Sequence, residues 1–94
     1  MTFKETYILH NQFLNDNKFQ AKFFVSKTIT VNKNNFSSFT ITPNKNLNKY
    51  IEITAEKDFI FIDFYNIDGN LKESKKYNNQ GYEKIKEIIN QIFK

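Results

Sequence analysis

The chain has 94 residues, too few to divide into two separate cores, and it predicts a single domain spanning 1–94. Aromatic residues make up 17% of the chain, 11 Phe and 5 Tyr, which sets it apart from disordered, aromatic-poor sequences. It has no Cys, one His and 2 Gly. Disulfides, thiolate catalysis, cysteine-based metal sites, multi-histidine metal sites and glycine-rich phosphate loops are therefore excluded, and no metal or cofactor is expected. Basic and acidic residues number 14 and 10, for a net charge of +4, and every basic residue is Lys. Without Arg the chain lacks the side chain best suited to bidentate recognition of bases and phosphates, and its basicity suits diffuse attraction instead. The abundance of Lys, Asn, Ile, Phe and Tyr matches AT-rich codons and points to a low-GC genome or a mobile element living in one.

Taken in chain order, the segment Thr2 to Leu14 has two readings. Phe3, Tyr7 and Leu14 fit a helix face, whereas Tyr7, Leu9 and Phe13 fit a strand; the strand is preferred over Tyr7 to Leu14, with a short helical or loose start before it. Asn15-Asp16-Asn17-Lys18 reads as a turn. From Phe19 to Val31 the apolar residues Phe19, Ala21, Phe23, Val25, Ile29 and Val31 alternate with polar ones, which predicts one long half-buried strand bent or bulged at Lys27. A strand from Phe36 to Thr42, ended by Pro43, should turn Phe39 and Ile41 inward. The next, Tyr50 to Ala55, should bury Ile51, Ile53 and Ala55 and expose Tyr50, Glu52 and Thr54.

Phe59 to Ile67 is apolar on both faces, with Phe59, Phe61, Tyr65 and Ile67 on one and Ile60, Ile62 and Phe64 on the other. Such a strand is central and needs cover on both sides. Asp68-Gly69 is a hairpin signal leading into Leu71 to Tyr77, whose Lys72, Lys75 and Lys76 suit a sheet edge. The chain closes with a helix from Tyr82 to Phe93, capped by Asn78 or Asn79. Its apolar stripe is Tyr82, Ile85, Ile88, Ile89, Ile92 and Phe93. The fold class is accordingly α+β: an antiparallel meander of five or six strands with one C-terminal helix packed on a sheet face.

Little in this pattern supports catalysis. His10 has no nucleophile to serve, and Ser26, Ser37, Ser38 and Ser74 lie in no nucleophile motif; no enzymatic activity is expected. Asp63, set between Phe61 and Tyr65 on an apolar face, is the one acid whose position asks for an explanation. Two binding surfaces suggest themselves. Tyr50, Phe64 and Tyr65 are candidates for an aromatic patch on the sheet face that the helix leaves bare, held for a partner or for a second copy in a homodimer, unless the N-terminal segment folds over it. Lys72, Lys75, Lys76 and Tyr77 are candidates for contact with single-stranded nucleic acid.

These features point to a small non-catalytic binding protein. The class that combines the size, the lack of catalytic chemistry and the codon bias is a phage or mobile-element inhibitor of a host protein or nucleoprotein machine, in the style of anti-CRISPR proteins. The analogy is one of size and style, and no motif carries it. With a net charge of +4 the chain cannot imitate DNA as a whole, so it would block a protein surface or a complex already loaded with nucleic acid. A lysine-rich nucleic-acid-binding accessory protein is the alternative. The lack of disulfides and of any apolar leader or membrane-length segment points to the cytoplasm, away from membranes.

Overall fold

The computed structural model describes residues 4–26, 30–32 and 35–94, giving the backbone alone at 30–32 and 35–37. The elements run α1 (Lys4–Leu14), α2 (Asn17–Gln20), β1 (Phe23–Val25), β2 (Thr30–Asn32), β3 (Asn35–Pro43), β4 (Lys49–Ala55), β5 (Phe59–Asn66), β6 (Leu71–Asn78) and α3 (Tyr82–Ile92). The architecture is α+β. An antiparallel sheet has the order β1-β3-β4-β5-β6, and β2 pairs with β3 on a further stretch of that strand. From β3 to β6 consecutive strands are neighbours, and the C-terminal helix packs on the sheet as expected. Gly69 sits at a φ of 80° in the β5–β6 turn, a conformation that L side chains rarely adopt, and Asp68 Oδ1 accepts the Asn70 N–H there at 2.9 Å.

Three expectations from the sequence need correction. Tyr7 to Leu14 is helical, not a strand, because α1 runs from Lys4 to Leu14. Its buried stripe is Thr6, Leu9, His10 and Phe13, with helical spacing. Two of those four are polar, so the stripe is nearly invisible to a search for apolar periodicity. Phe19 to Val31 is not one strand either. Asp16 caps α2 by accepting the Phe19 N–H at 3.0 Å, and the helical turn brings Phe19 and Phe23 into a stack at 4.6 Å between ring centroids. The strand proper begins at Phe23 and is divided into β1 and β2; Lys27, the expected bend, lies outside the described residues. Finally, neither Asn78 nor Asn79 caps α3 through its side chain. Gly81 is the cap residue, at a φ of 95°. Asn79 braces the approach instead, its Oδ1 accepting the Gly81 N–H and its Nδ2 donating to the Glu56 carbonyl at 2.8 Å.

Both long helices pack on the same face of the sheet. That face presents Phe23 and Val25 from β1, Phe39 and Ile41 from β3, Ile51, Ile53 and Ala55 from β4, and Ile60 and Ile62 from β5; all are buried. Leu9 and Phe13 of α1 and Ile85 and Ile89 of α3 complete the same cluster. The polar members of the α1 stripe are satisfied by backbone. Thr6 Oγ1 donates to the Ala55 carbonyl at 2.9 Å and accepts the Ala55 N–H at 2.8 Å, much as a neighbouring strand would. His10 Nε2 donates to the Ser26 carbonyl, and its ring leans on Phe39 at 4.9 Å. Gln20 Nε2 closes the C-terminus of α1 by donating to the Phe13 and Leu14 carbonyls at 3.2 and 2.7 Å.

A polar clasp ties α2 to α3. Asp16 Oδ2 accepts from the Tyr82 hydroxyl at 2.8 Å and from Lys86 Nζ at 3.1 Å. The Phe19 N–H, the Tyr82 hydroxyl and Lys86 together hold the Asp16 carboxyl at about 2, down from 3.8. Burial and the adjacent carboxylate push the Tyr82 phenol far above its ordinary range.

Two stability measurements follow from this packing. Ile89 is fully buried, and Ile89→Ala should cost about 2–4 kcal/mol in urea unfolding. A loss under about 0.5 kcal/mol would mean that α3 is not packed on the sheet. Because the folded-state pKa of Asp16 is depressed, the stabilisation it brings is complete above pH 3.8 and is lost as the pH falls through about 2. Thermal midpoints followed from about pH 5 to about pH 2 should therefore fall more in the unaltered protein than in Asp16→Asn, whose side chain does not titrate. Equal falls would show that the clasp adds nothing to acid stability.

Candidate functional site: the open face of the sheet

Strand alternation sends the other set of side chains to the opposite face of the sheet. Among the described residues no helix covers that face. Register builds it in rows. Tyr50 stands opposite Tyr65, and the two rings stack at 5.1 Å, 7° from parallel. In the next row Thr40 stands opposite Glu52, Glu52 opposite Asp63, and Asp63 opposite Ser74. In the third, Thr54 stands opposite Phe61, and Phe61 opposite Lys76. Lys76 Nζ lies 3.9 Å from the centroid of the Phe59 ring and 5.9 Å from that of Phe61. Phe24, at the β1 edge of the same face, is 57% exposed.

Two carboxylates thus face each other across β4 and β5 between a tyrosine pair and a phenylalanine row. Like charges directly opposite on neighbouring strands work against the sheet. Glu52 Oε2 accepts a hydrogen bond from Ser38 Oγ at 2.9 Å, and the Glu52 carboxylate is also hydrogen-bonded to the Tyr65 hydroxyl. Among the described residues neither Glu52 nor Asp63 has a Lys at ion-pair distance; the pairs that do form are Lys75–Glu73, Lys84–Glu87, Lys86–Asp16 and Lys86–Glu83. The Tyr65 phenol is pushed above its ordinary value by burial, then by the charges of Glu52 and Asp63, with smaller contributions from Tyr50 and from its hydrogen bond to Glu52.

The residues singled out from the sequence divide between the two faces. Tyr50 and Tyr65 are on the open face. Phe64 belongs to the helix-bearing face and packs against the core. All three nevertheless border one shallow cleft of about 250 Å³ at the end of β4 and β5, beside Lys72, Glu73 and Phe93. The β6 residues proposed for nucleic acid do not form one surface. Lys76 points to the open face. Lys75 points the other way, 3.3 Å from Glu73 Oε1 and over the Phe64 ring. Tyr77 is half-buried against the core on the helix-bearing face, away from Lys76. A strand cannot present three consecutive side chains on one side, and a bulge between Phe64 and Tyr65 shifts the pairing near Lys72 as well.

His10, the one histidine of the sequence, is 2% exposed and serves as a strut between α1 and the Ser26 carbonyl. Among the described residues no group of His, Asp and Glu is placed to hold a metal, and no helix is long and apolar enough to cross a membrane. The sequence pattern did not point to Glu52, Phe59 or Phe61 as parts of a site. Only register, which pairs Glu52 with Asp63 and sets Lys76 beside Phe61, brings them together. No protein-family profile, no curated protein and no solved structure matches this chain, so the chemistry of the face is read from its own residues.

With the lysines of β6 divided between two faces, changing Lys72, Lys75 and Lys76 together to Gln should raise aggregation, since β6 is an exposed edge. It should leave any nucleic-acid affinity and its salt dependence intact. A fall of about 2–3 in the log–log salt slope for single-stranded DNA would show that the three lysines do converge on phosphates.

Proposed function

We propose that the protein is a small non-catalytic binding protein that docks on another protein through the open face of its sheet. In this reading it acts as a phage or mobile-element inhibitor of a host protein or nucleoprotein machine, in the anti-CRISPR style. The observation that carries the docking part is the placement of both long helices on one face, which leaves the stacked Tyr50–Tyr65 pair, Phe59, Phe61 and Phe24 with no helix over them among the described residues. An aromatic-rich face framed by polar residues is the usual composition of a protein interface. The inhibitor part rests on size, codon bias and the absence of catalytic motifs. The lack of Cys fits a reducing, cytoplasmic setting.

The alternative, a lysine-rich nucleic-acid-binding accessory protein, draws on the net charge of +4. It is disfavoured on this face because two carboxylates occupy its centre and would repel a phosphate backbone.

Affinity purification from a low-GC host, with and without nuclease, separates these readings. A partner retained after nuclease treatment supports docking on protein, and one lost with the nucleic acid supports the alternative. Tyr50→Ala and Tyr65→Ala should each weaken capture of that partner by about 2 kcal/mol or more while leaving the thermal midpoint nearly unchanged, as expected of aromatic anchors in an interface. If every change that weakens capture also unfolds the domain, the tyrosines are structural and the interface is elsewhere. Sedimentation of the purified protein tests the remaining occupant, a second copy of the chain.

A further inference from the structure

The open face carries a chemical preference as well as an exposed surface, and this inference rests on the docking reading above. Three features agree. Glu52 and Asp63 are held opposite each other without a cationic partner among the described residues, at the centre of the face. Aromatic rings line both sides of that pair, Tyr50 and Tyr65 on one and Phe61 on the other, and ring faces attract cations. The face already holds one ammonium group, since Lys76 lies over Phe59. We propose that the open face docks a basic segment of a partner protein, whose arginine or lysine side chain enters the row between the tyrosine pair and Phe61 and meets Glu52 and Asp63.

The net charge of the chain sharpens this. At +4 the protein as a whole repels a polycation, so a basic peptide that binds must find a locally acidic surface. The pairing would also relieve the like-charge opposition across β4 and β5, which otherwise works against the sheet. A surface arrangement that is unfavourable to the isolated fold and favourable to a complementary ligand is the pattern expected where binding has shaped a surface at some cost to stability.

The test is titration of the full chain with an oligo-arginine peptide, followed by backbone amide NMR, with an oligo-glutamate peptide and an oligothymidylate as parallel arms. The expected result is shifts at Tyr50, Glu52, Asp63 and Tyr65 with oligo-arginine alone. Glu52→Gln combined with Asp63→Asn should weaken that binding by roughly tenfold or more, with a thermal midpoint no lower than that of the unaltered protein. Shifts confined to other surfaces, equal affinity in the double variant, or a response of this face to oligothymidylate would each overturn the proposal. So would saturation of the face by a second copy of the chain in the absence of peptide. The partner captured in the affinity experiment separates this proposal from the reading it rests on. If Tyr50→Ala and Tyr65→Ala abolish capture and the Glu52, Asp63 double change does not, docking through the face stands and its preference for a basic segment fails.

Discussion

Ile41, Ile51, Ile53, Ile60 and Ile62 lie side by side across three adjacent strands, on one face of the sheet, and all are excluded from water. Full burial of one such side chain contributes about 1.5–3 kcal/mol relative to leaving it exposed. No other surface of the sheet offers a helix a comparable layer, so both α1 and α3 are drawn to it. The opposite face carries Thr40, Thr42, Glu52, Thr54 and Asp63 among its aromatics. A helix packed there would have to bury two carboxylates, whose desolvation outweighs the aromatic area gained. The asymmetry of the fold, with both long helices on one side and none on the other among the described residues, follows from this single difference between the two faces.

The two helices earn their places on the aliphatic layer differently. α3 arrives with a continuous stripe, Ile85 and Ile89 buried and Tyr82, Ile88, Ile92 and Phe93 packed around them. α1 contributes only Leu9 and Phe13 to the core and adds two polar contacts, Thr6 to both backbone groups of Ala55 and His10 to the Ser26 carbonyl. A hydrogen bond contributes modestly on average, but leaving a buried donor or acceptor without one is costly. The polar pair therefore specifies where α1 sits more than how strongly it is held. A shift of α1 along the sheet would break both contacts, so their geometry favours one position.

That division of labour explains which parts of the fold could be read from the sequence. Strands β3 and β4 announce themselves through alternation, β5 through its apolar run, β6 through the Asp68-Gly69 turn and its edge lysines, and α3 through its isoleucine stripe; none of these signals depends on a buried polar group finding a distant partner. α1 is hidden from apolar periodicity because half its buried stripe is Thr and His, residues whose burial is licensed by the Ala55 and Ser26 backbone groups far along the chain. α2 is hidden because four residues hold too few periods to compete with the alternation of Phe19, Ala21 and Phe23; its one local signal is Asp16 three positions before Phe19, a helix-cap spacing. The open face was half legible. Composition implied that a central strand apolar on both sides needs a second cover, and it named Tyr50 and Tyr65. It could not pair Glu52 with Asp63, or set Lys75 and Lys76 on opposite sides, because those depend on register and on which parity the helices take.

The same layer that gathers the helices also sorts the charge. Lys22, Lys45 and Lys94 border a cleft of about 360 Å³ on the helix-bearing side, together with Phe23, Pro43 and Phe93, while the two carboxylates stand at the middle of the open side. A group of lysines at one end of the helix-bearing side is thus set apart from the carboxylate pair at the centre of the open, aromatic face. In the docking reading such a separation would help orient an approaching partner, since charged surfaces steer encounter over roughly a Debye length, about 8 Å at physiological salt. If a basic segment of a partner is the occupant of the open face, acidic or phosphate-bearing parts of the same assembly would be turned toward the lysines on the other side. A nucleoprotein machine offers both kinds of surface at once. Two-sided charge of this sort would let so small a domain engage such an assembly in one orientation, using the face that its own helices cannot cover.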